Sequence, residues 1–557
     1  MACSKIFSGE LPELLNKIVQ YFRNDYSTLH SCILVNRLWC RLTIPILWEN
    51  PFYPFLPQNL KNYHYIEVYL YNLNDNDKKR LNEYGINLPS NTLFNYPSFI
   101  QHLDIRSICE CIKNWVFAES SYIFTNFDDI LNFIHKSLIK LFNEKEAKLH
   151  TLNVTYKHYF FDIIIYELVL QNSNLIYNIK NLYFEPTKYV SDNINSLLKF
   201  LNSNCDSISS IYLPNFENHH KDSNTFIELS RLINSQKNLN KILLYKGFPL
   251  SILLNSNCLN TLNIIIFCEI DFKNINILNE VFEQLNVIES IHIIGCYSLN
   301  SNFTQQIINL TKPFKLKSLI LYEKSLILKD SMELILQKSG DYLENFGLSI
   351  DPTYNYPVPQ LFNSNSQLIK LITSYCTKIK FFKLQGFNDQ DIYLTFNLIE
   401  TFKQNLNCLT IDINYLGFGF SNRHIELSSI VLQNLGQILP FKLEYLNLSL
   451  VLNTNDFVLF LKNSQNTFIK ELLLNNIVNG TRKKVGQDNT LYNIKEYIMK
   501  KKRVKYFAFQ NLFTDNYSNE NLFDLKDEVK EFKLHDIIVQ NYYKMKLDFI
   551  EFLKEEI

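Results

Sequence analysis

The residues of this chain that could do chemistry lie in a few short stretches. The stretch "HHKD" brings His219, His220 and Asp222 together, and imidazole and carboxylate groups are ligands of zinc. Adjacent histidines on a loop rarely form a closed site without further ligands, so we expect no metal there. The stretch "LGFGF" at 416–420 contains Gly-x-Gly but lacks the third glycine and the strand-to-helix context of a phosphate cradle, so we expect an ordinary loop.

Other candidate chemistry is equally sparse. The run "KKKR" at 500–503 is either a nuclear address or nucleic-acid patch, or, as is more common, the solvated end of a helix. The 11 cysteines are odd in number, and Cys109 and Cys111, separated by one residue, do not have a zinc-knuckle spacing. The sequence has no Cys-x-x-Cys and no Gly-x-Ser-x-Gly elbow. We therefore expect a noncatalytic protein with no metal or other cofactor, in a reducing compartment.

Composition limits the kinds of partner. With 557 residues, of which 46% are hydrophobic, the chain can bury a large core. Lys+Arg and Asp+Glu balance at 55 each, so no net charge draws the molecule to nucleic acid or to an anionic membrane. No signal-peptide pattern opens the chain, and "LNIIIFC" at 262–268 is far shorter than the roughly 18 residues of a bilayer span. We expect a soluble intracellular protein of the cytoplasm, the nucleus or both.

The elements that position any binding residue are repeated along the chain. A six-residue pattern, apolar-x-x-apolar-x-apolar, recurs about every 30 residues, and we call it the hexad. The hexads are "IQHLDI" (100), "LHTLNV" (149), "IKNLYF" (179), "ISSIYL" (208), "LNKILL" (239), "LNTLNI" (259), "IESIHI" (288), "LKSLIL" (316), "LENFGL" (343), "IKFFKL" (379), "LNCLTI" (406), "LEYLNL" (443), "IKELLL" (469), "VKYFAF" (504) and "VKEFKL" (529). Their alternation indicates strands.

Between hexads the apolar period changes to that of a helix, as in 194–205 and 331–340. One short strand and one helix cannot bury both faces alone, but stacked units can share a continuous core. This pattern predicts an α/β fold, a leucine-rich-repeat solenoid of short parallel strands and helices. The usual Asn or Cys at the ninth place is supplied only by Cys296 and Asn414, so the turn after the strand is expected to be irregular and the register uncertain by two or three units.

The first 50 residues follow another pattern. Apolar residues from Leu11 to Phe22 have helical spacing, with Pro12 in the first turn, and two further apolar stripes follow "NDYS" at 24–27, where Ser27 is a candidate N-cap. The segment predicts three short helices. Three helices of this length bury too little surface to be stable alone, so a partner should cover part of their apolar surface.

These residues resemble the F-box. The stretches "LPELL", "LHSCILVNRLW" and the trailing Trp48 carry the resemblance. The order of F-box and repeats is similar to that of the fungal-type F-box proteins with C-terminal leucine-rich repeats. The resemblance implies a substrate receptor of a Skp–cullin–F-box ubiquitin ligase, in which cullin and RING subunits join through the Skp adaptor. It also implies an adaptor-binding set, namely Leu11, Pro12, Leu15, Ile18, Leu29, Val35 and Trp39. The open alternative is a helical cap that shields the first repeat.

A target protein would bind the repeats. In leucine-rich repeats the strands line the concave face, and hexad positions three, five and seven point to it; we call this side of the strands the ladder face. In the middle of the chain these positions are apolar and aromatic, and an exposed band of this kind marks an interaction site. The candidate target-binding residues are Leu243, Tyr245, Ile265, His292, Ile294, Ile320 and Tyr322. The alternative is that the chain's own loops cover part of the band.

Together these expectations divide the chain into an F-box at 5–50, a linker at 51–99 and the solenoid at 100–557. The predicted function is that of a substrate-recognition adaptor for ubiquitin-dependent degradation. A repeat scaffold for protein interactions without a ubiquitin-ligase role stays open as the second function, and an independent enzyme is a distant third.

Overall fold

The computed structural model describes most of the chain as two compact units. The described residues are 12–23, 25–52, 64–88, 92–119, 127–155, 161–170, 174–185, 192–213, 224–247, 250–254, 256–322, 329–349, 361–413, 420–479, 489–501, 503–514 and 518–556. The first unit holds the described residues up to 265 together with 284–288, and the second holds 266–283 and those from 289 onward.

Three helices open the first unit, as the apolar spacing predicts. They are α1 (Pro12–Tyr21), α2 (Tyr26–Ile33) and α3 (Arg37–Trp48). Asp25 caps α2 by accepting a hydrogen bond at 3.0 Å from the backbone N–H three residues later, and Asn36 caps α3 in the same way at 3.0 Å. The prediction of Ser27 as the cap is wrong, because Ser27 lies inside α2. The helices share a core of Leu15, Val19, Leu29, Cys32, Trp39 and Ile46.

Two more helices and an aromatic cluster follow. The helices are α4 (His64–Leu70) and α5 (Asp75–Glu83). The Trp48 ring, at the end of α3, packs against the rings of Tyr65, Tyr69 and Tyr96 with centroid distances of 5.1, 5.3 and 4.3 Å. Such aromatic pairs contribute about 0.5–1.5 kcal/mol each beyond the area they bury. The three opening helices are therefore packed onto the residues that lead into the first strand.

The rest of the first unit alternates strands and helices. Its strands are β1 (His102–Asp104), β2 (Thr151–Thr155), β3 (Asn181–Glu185), β4 (Ser210–Leu213) and β5 (Lys241–Tyr245), each parallel to the next. Its helices are α6 (Ile105–Glu119), α7 (Phe127–Glu144), α8 (Phe161–Leu170), α9 (Asp192–Asn204) and α10 (Asn224–Ser235). Strand β6 (Ile264–Cys268) and helix α11 (Leu278–Gln284) contain residues of both units.

One backbone arrangement joins successive repeats. In the first unit the N–H groups at hexad positions two and three both donate to the carbonyl at position two of the preceding repeat; Lys180 and Asn181, for example, donate to His150 at 2.8 and 2.9 Å. Gln101 and His102 of the first hexad make the same pair of bonds, at 2.9 and 3.1 Å, to the carbonyl of Glu49. The residue after α3 thus takes the place that a preceding repeat would occupy.

The second unit continues the same alternation. Its strands are β7 (Ser290–Ile294), β8 (Leu316–Tyr322), β9 (Asn345–Ser349), β10 (Phe381–Gln385), β11 (Cys408–Asp412), β12 (Lys442–Leu450), β13 (Phe468–Val478) and β14 (Val504–Phe513), again parallel in chain order. Its helices are α12 (Ser301–Ile308), α13 (Lys329–Ser339), α14 (Leu361–Tyr375), α15 (Asp389–Thr401), α16 (Asn422–Ile438), α17 (Thr454–Asn463) and α18 (Asn489–Ile494).

Hexad positions four and six form the core, as predicted. Leu319, Phe382, Leu446 and Leu472, all at position four, are at most 2% exposed. At the ninth place Cys296 is buried and its thiol donates to the Phe267 carbonyl at 3.5 Å, while Phe387 and Ile477 are buried apolar residues. Each unit is therefore an α/β array of leucine-rich repeats, in which ninth-place apolar side chains join the core.

Two hexads differ from the prediction. The N–H groups of Asn263 and Ile264 donate to the Asn240 carbonyl at 3.0 and 2.9 Å, so these residues hold positions two and three, and the repeat begins at 262, three residues later than predicted. The hexad at 529 is wrong, because 526–534 form helix α19 (Lys526–Leu534). Its apolar residues also satisfy a helical period, and the hexad pattern alone does not distinguish the two.

The chain ends with short elements around β14. Strand β15 (Asn519–Asn521) is antiparallel to β14, and β16 (Ile538–Val539) is parallel to it. Helices α20 (Tyr542–Met545) and α21 (Phe549–Glu556) follow. None of the helices in the described part of the chain has both the length and the apolarity that crossing a bilayer requires.

Candidate binding surfaces

Burial separates the residues predicted to bind an adaptor. Leu15 and Leu29 are fully buried in the three-helix core, and Trp39 is 8% exposed. Pro12 is exposed and Ile18 is half-buried on α1. Val35, between α2 and α3, is 48% exposed, while Leu11 lies outside the described residues. The buried residues hold the helices together, and Pro12, Ile18 and Val35 leave side-chain surface open to solvent.

The three helices expose further apolar side chains that the sequence pattern missed. On or next to these helices Leu14 is 43%, Tyr21 87%, Tyr26 42% and Leu34 79% exposed. Single exposed hydrophobic residues are common, but five such residues, with Val35, within 22 positions of a small helical unit are a concentration of apolar surface. Sequence spacing could have identified Leu34, because it falls between the stripes of α2 and α3.

The ladder face of the first unit is buried at hexad positions three and five of β4 and β5. Leu243 is 2% exposed, next to its register partner Tyr212 on β4. The Tyr212 ring stacks on the Tyr183 ring at a centroid distance of 4.2 Å, and the Lys241 ammonium lies 5.4 Å from the Tyr212 ring centroid. Tyr245, at the end of β5, is partly exposed. Aromatic stacking and a cation–π contact therefore cover positions that were expected to be open to solvent.

Ile265 does not belong to the ladder face. Because the repeat starts at 262, Ile265 holds position four, and it is fully buried among the core residues. Its assignment as a target-binding residue rested on a register error of three residues, and exchanging odd for even positions moves a side chain to the other side of a strand.

The ladder face of the second unit is also buried at the predicted positions. His292 is fully buried, with Nδ1 2.7 Å from the Ser318 hydroxyl and Nε2 3.2 Å from the Ser290 hydroxyl. Ile294 and Ile320 are at most 1% exposed, and Tyr322 is partly exposed. The expectation that this band is open to solvent is thus wrong for Leu243, Ile265, His292, Ile294 and Ile320. Their role in binding a target stays a prediction.

The ladder face of the second unit carries the chain's own C-terminal segment, defined here as residues 541–553. Helix α20 packs against β13 and β14. The Tyr542 hydroxyl donates to the Asn447 side-chain oxygen at 2.9 Å, and the Leu547 N–H donates to the Tyr445 hydroxyl at 3.0 Å. Both Asn447 and Tyr445 are ladder positions of β12. The chain therefore covers its own ladder face on β12, outside the predicted target-binding band.

Farther along, aromatic rings hold the segment on β10. The ring of Phe381, at hexad position three, lies 4.9 Å from the Phe549 ring and 6.1 Å from the Phe552 ring, centroid to centroid. The Phe549 and Phe552 rings are 5.7 Å apart. Since β16 lies beside β14, the C-terminal segment runs across the strands from β14 back to β10.

Charged side chains of the C-terminal segment lie near titratable residues of the ladder face. Burial lowers the pKa of Lys383, the ladder residue at position five of β10; the Asp412 and Asp548 carboxylates oppose that shift, and the Lys546 charge adds to it. Burial also raises the pKa of Tyr322, with a further contribution from the Asp548 charge. Burial raises the pKa of Tyr542 well above its usual range. The acidic Asp548 therefore lies near the lysine that the ladder face presents.

Polar side chains hydrogen-bond to one another between the ladder strands. The Asn475 amide donates to the Ser449 hydroxyl at 2.9 Å, and the Gln510 amide donates to the Asn475 oxygen at 3.0 Å. All three side chains are at hexad position seven and are buried. These side-chain hydrogen bonds connect β12, β13 and β14 across the ladder face.

Five buried thiols are not poised for nucleophilic chemistry. Burial raises the pKa of Cys109, Cys111, Cys205, Cys296 and Cys376 to about 12, so the reactive thiolate is scarce at neutral pH. Within the described ranges no three His, Cys, Asp or Glu side chains are grouped to hold a metal ion. His219, His220, Asp222 and residues 416–419 lie outside the described residues.

The basic run at 500–503 is not a uniform patch. Arg503 is buried, and its guanidinium donates to the Leu461 and Thr467 carbonyls at 3.2 and 3.4 Å. The exposed Lys500, just after the helical residues 495–499, pairs with Glu496. One member of the run thus joins repeats and another ends a helix.

Comparison with known proteins finds a structural likeness without a sequence match. No protein-family model matches the chain, and no curated protein matches it. Among solved structures the chain is similar to the leucine-rich repeat-containing protein LegL7 from Legionella pneumophila, with 13% sequence identity and a TM-score of 0.34. The similarity covers 63% of this chain and 97% of that chain.

Proposed function

We propose that the chain is a noncatalytic substrate-recognition adaptor of a Skp–cullin–F-box ubiquitin ligase. Residues 5–50 act as an F-box that binds the Skp adaptor, residues 51–99 link it to the repeats, and residues 100–557 bind a target protein. Cullin and RING subunits join through the Skp adaptor, and the associated subunits transfer ubiquitin. The protein itself needs no catalytic residue.

The observation that carries this proposal is the exposed apolar surface of the three helices. The sequence that resembles an F-box folds into three helices with a small shared core, and Val35, Leu34 and Tyr21 stay exposed. A unit of this size gains stability when a partner covers such residues. In this proposal Leu11, Pro12, Ile18 and Val35 contact the adaptor, and Leu15, Leu29 and Trp39 fix the helices from inside.

The test is adaptor capture by the variant Leu11→Ala/Pro12→Ala. Losing an apolar anchor and the fixed first turn of α1 should weaken adaptor binding by tens of fold, because a well-buried anchor contributes about 2 kcal/mol or more and each 1.4 kcal/mol is tenfold. The matched control is Lys17→Ala/Gln20→Ala, two exposed polar positions on the same helix, which should capture adaptor like the wild type. Equal capture by the two variants would remove the F-box assignment.

A repeat scaffold without a ligase role is the second candidate. Its support is the bonding of Gln101 and His102 to the Glu49 carbonyl, since a helical cap that shields the first repeat would make the same contact. Copurification separates the two functions. A ligase receptor brings down the Skp adaptor and a cullin together, whereas a scaffold without a ligase role does not bring down both.

A further inference from the structure

The contacts of the C-terminal segment are those of a bound peptide. One backbone N–H (Leu547), one side-chain hydroxyl (Tyr542) and two aromatic rings (Phe549 and Phe552) meet the side chains of β10 and β12. The repeated backbone pairing that joins β10, β11 and β12 involves no residue of this segment. The segment thus lies on a completed surface and contributes nothing to the strand pairing beneath it.

We propose that the ladder face of β10–β12 is a binding site for an aromatic peptide segment of the target, and that residues 541–553 occupy this site in competition with it. The inference rests on the proposed function in one respect, that the repeats bind a target. It adds where the target binds and what keeps the site closed in its absence.

The seated segment indicates the chemistry of the target peptide. Phe549 and Phe552 are three positions apart at the start of α21, so both rings lie on one side of a helical turn and reach Phe381 together. Tyr542, seven residues before Phe549, reaches Asn447 through its hydroxyl. The fitting partner is therefore a segment with a tyrosine followed, seven and ten residues later, by two aromatic residues.

Tethering decides how strongly the site is closed. A segment joined directly to the surface it covers competes at an effective concentration on the order of millimolar. A free peptide with the same contacts must displace the tethered segment. The apparent association constant of the free peptide is therefore its intrinsic value multiplied by the fraction of molecules in which the site is open. Weakening the tethered segment alone should therefore tighten the binding of the free peptide.

The experiment uses a fluorescent peptide with the sequence of residues 541–553, NYYKMKLDFIEFL, and the full chain. Anisotropy is titrated with the wild type and with Phe549→Asp/Phe552→Asp, which removes both ring contacts from the tethered copy. The variant should bind the peptide at least about tenfold more tightly than the wild type. Adding Phe381→Ala to this variant should abolish the gain, since the peptide then lacks its partner ring.

The matched control is Phe441→Asp/Phe468→Asp in the same unit. These phenylalanines are 75% and 49% exposed, so the control introduces the same two charges outside the ring cluster of Phe381, Phe549 and Phe552. It should bind the peptide within about twofold of the wild type. Equal peptide affinity in the wild type, the release variant and the control would overturn the proposal.

A measurement on the wild type covers the case in which the release variant does not fold. Excess isotope-labelled peptide should speed hydrogen exchange of the chain's own Leu547 amide, which donates to Tyr445 in the closed state. Unchanged exchange at saturating peptide would contradict displacement. Neither assay contains a Skp adaptor, and adaptor capture by the same variants is scored separately, so failure here leaves the adaptor proposal standing.

Discussion

Individual side chains in and next to the opening helices are either buried in the shared core or exposed to solvent. Leu29 is fully buried between the helices, whereas Val35, six residues later, is 48% exposed. The F-box-like motif includes both residues, although one is buried and the other is exposed. Their physical roles are distinguishable by what each substitution changes.

Leu29→Ala should therefore lower the free energy of unfolding of the three helices, and Val35→Asp should leave it unchanged. Leu→Ala in a core costs about 2–5 kcal/mol, while an exposed substitution is usually within about 0.5 kcal/mol. Tryptophan fluorescence during urea unfolding reports this directly, since Trp39, Trp48 and Trp115 all lie in the first unit. Val35→Asp should lose adaptor binding with an unchanged unfolding midpoint; a shifted midpoint would mean that Val35 is structural.

A glycine under the ladder face provides a second prediction at this scale. Gly295 has φ +58°, and a Cβ there would lie 2.4 Å from the Tyr322 ring. Gly295→Ala should destabilise the second unit by about 2–4 kcal/mol, from the strained backbone and the clash together. In Gly295→Ala/Tyr322→Ala the clash is gone. The loss in unfolding free energy of this double variant should therefore be smaller than the sum of the losses of the two single variants. Simple additivity would contradict the close approach.

Among the elements, the junction between α3 and β1 couples the opening helices to the repeats. The Glu49 carbonyl accepts hydrogen bonds from the N–H groups of Gln101 and His102, and the Glu49 carboxylate pairs with Arg23 at 2.6 Å. His102 lies at the same junction. Burial, helped by the charges of Arg23 and His150, lowers its pKa to about 4.

The junction should accordingly lose stability in mild acid. Between about pH 6.5 and 4 the unfolded chain binds a proton at His102 that the folded chain does not, so the free energy of unfolding falls as pH falls through that window. The full loss is on the order of 3 kcal/mol. His102→Gln should flatten this part of the pH dependence in urea unfolding followed by tryptophan fluorescence. Parallel curves for the variant and the wild type would exclude the assignment.

The sequence pattern predicted the strands and their buried residues, but it did not predict that the C-terminal segment lies on the ladder face. Hexads at 316, 379, 443 and 469 identified buried residues because strand alternation is a local property. The segment 541–553 lies 95 residues from its partner when Tyr542 meets Asn447, and no local period encodes such a contact. Phe381 and Asn447 were readable as ladder positions, but nothing in the sequence indicated which residues would cover them.

At the scale of the whole molecule, two surfaces carry the proposed function and lie in different units. The opening helices belong to the first unit, and the face covered by residues 541–553 belongs to the second. A change that releases the C-terminal segment should therefore leave adaptor binding as it is, and a change in the opening helices should leave peptide binding as it is. Coupling between the two would indicate a regulated receptor.

The most direct measurement is titration calorimetry of the purified chain with a Skp-type adaptor from the same organism. We expect a one-to-one complex with a dissociation constant in the micromolar range or below, weakened by tens of fold in Leu11→Ala/Pro12→Ala and unchanged in Lys17→Ala/Gln20→Ala. No heat of binding at adaptor concentrations of about 100 micromolar, with the helices folded by tryptophan fluorescence, would contradict the F-box assignment and leave the repeat scaffold.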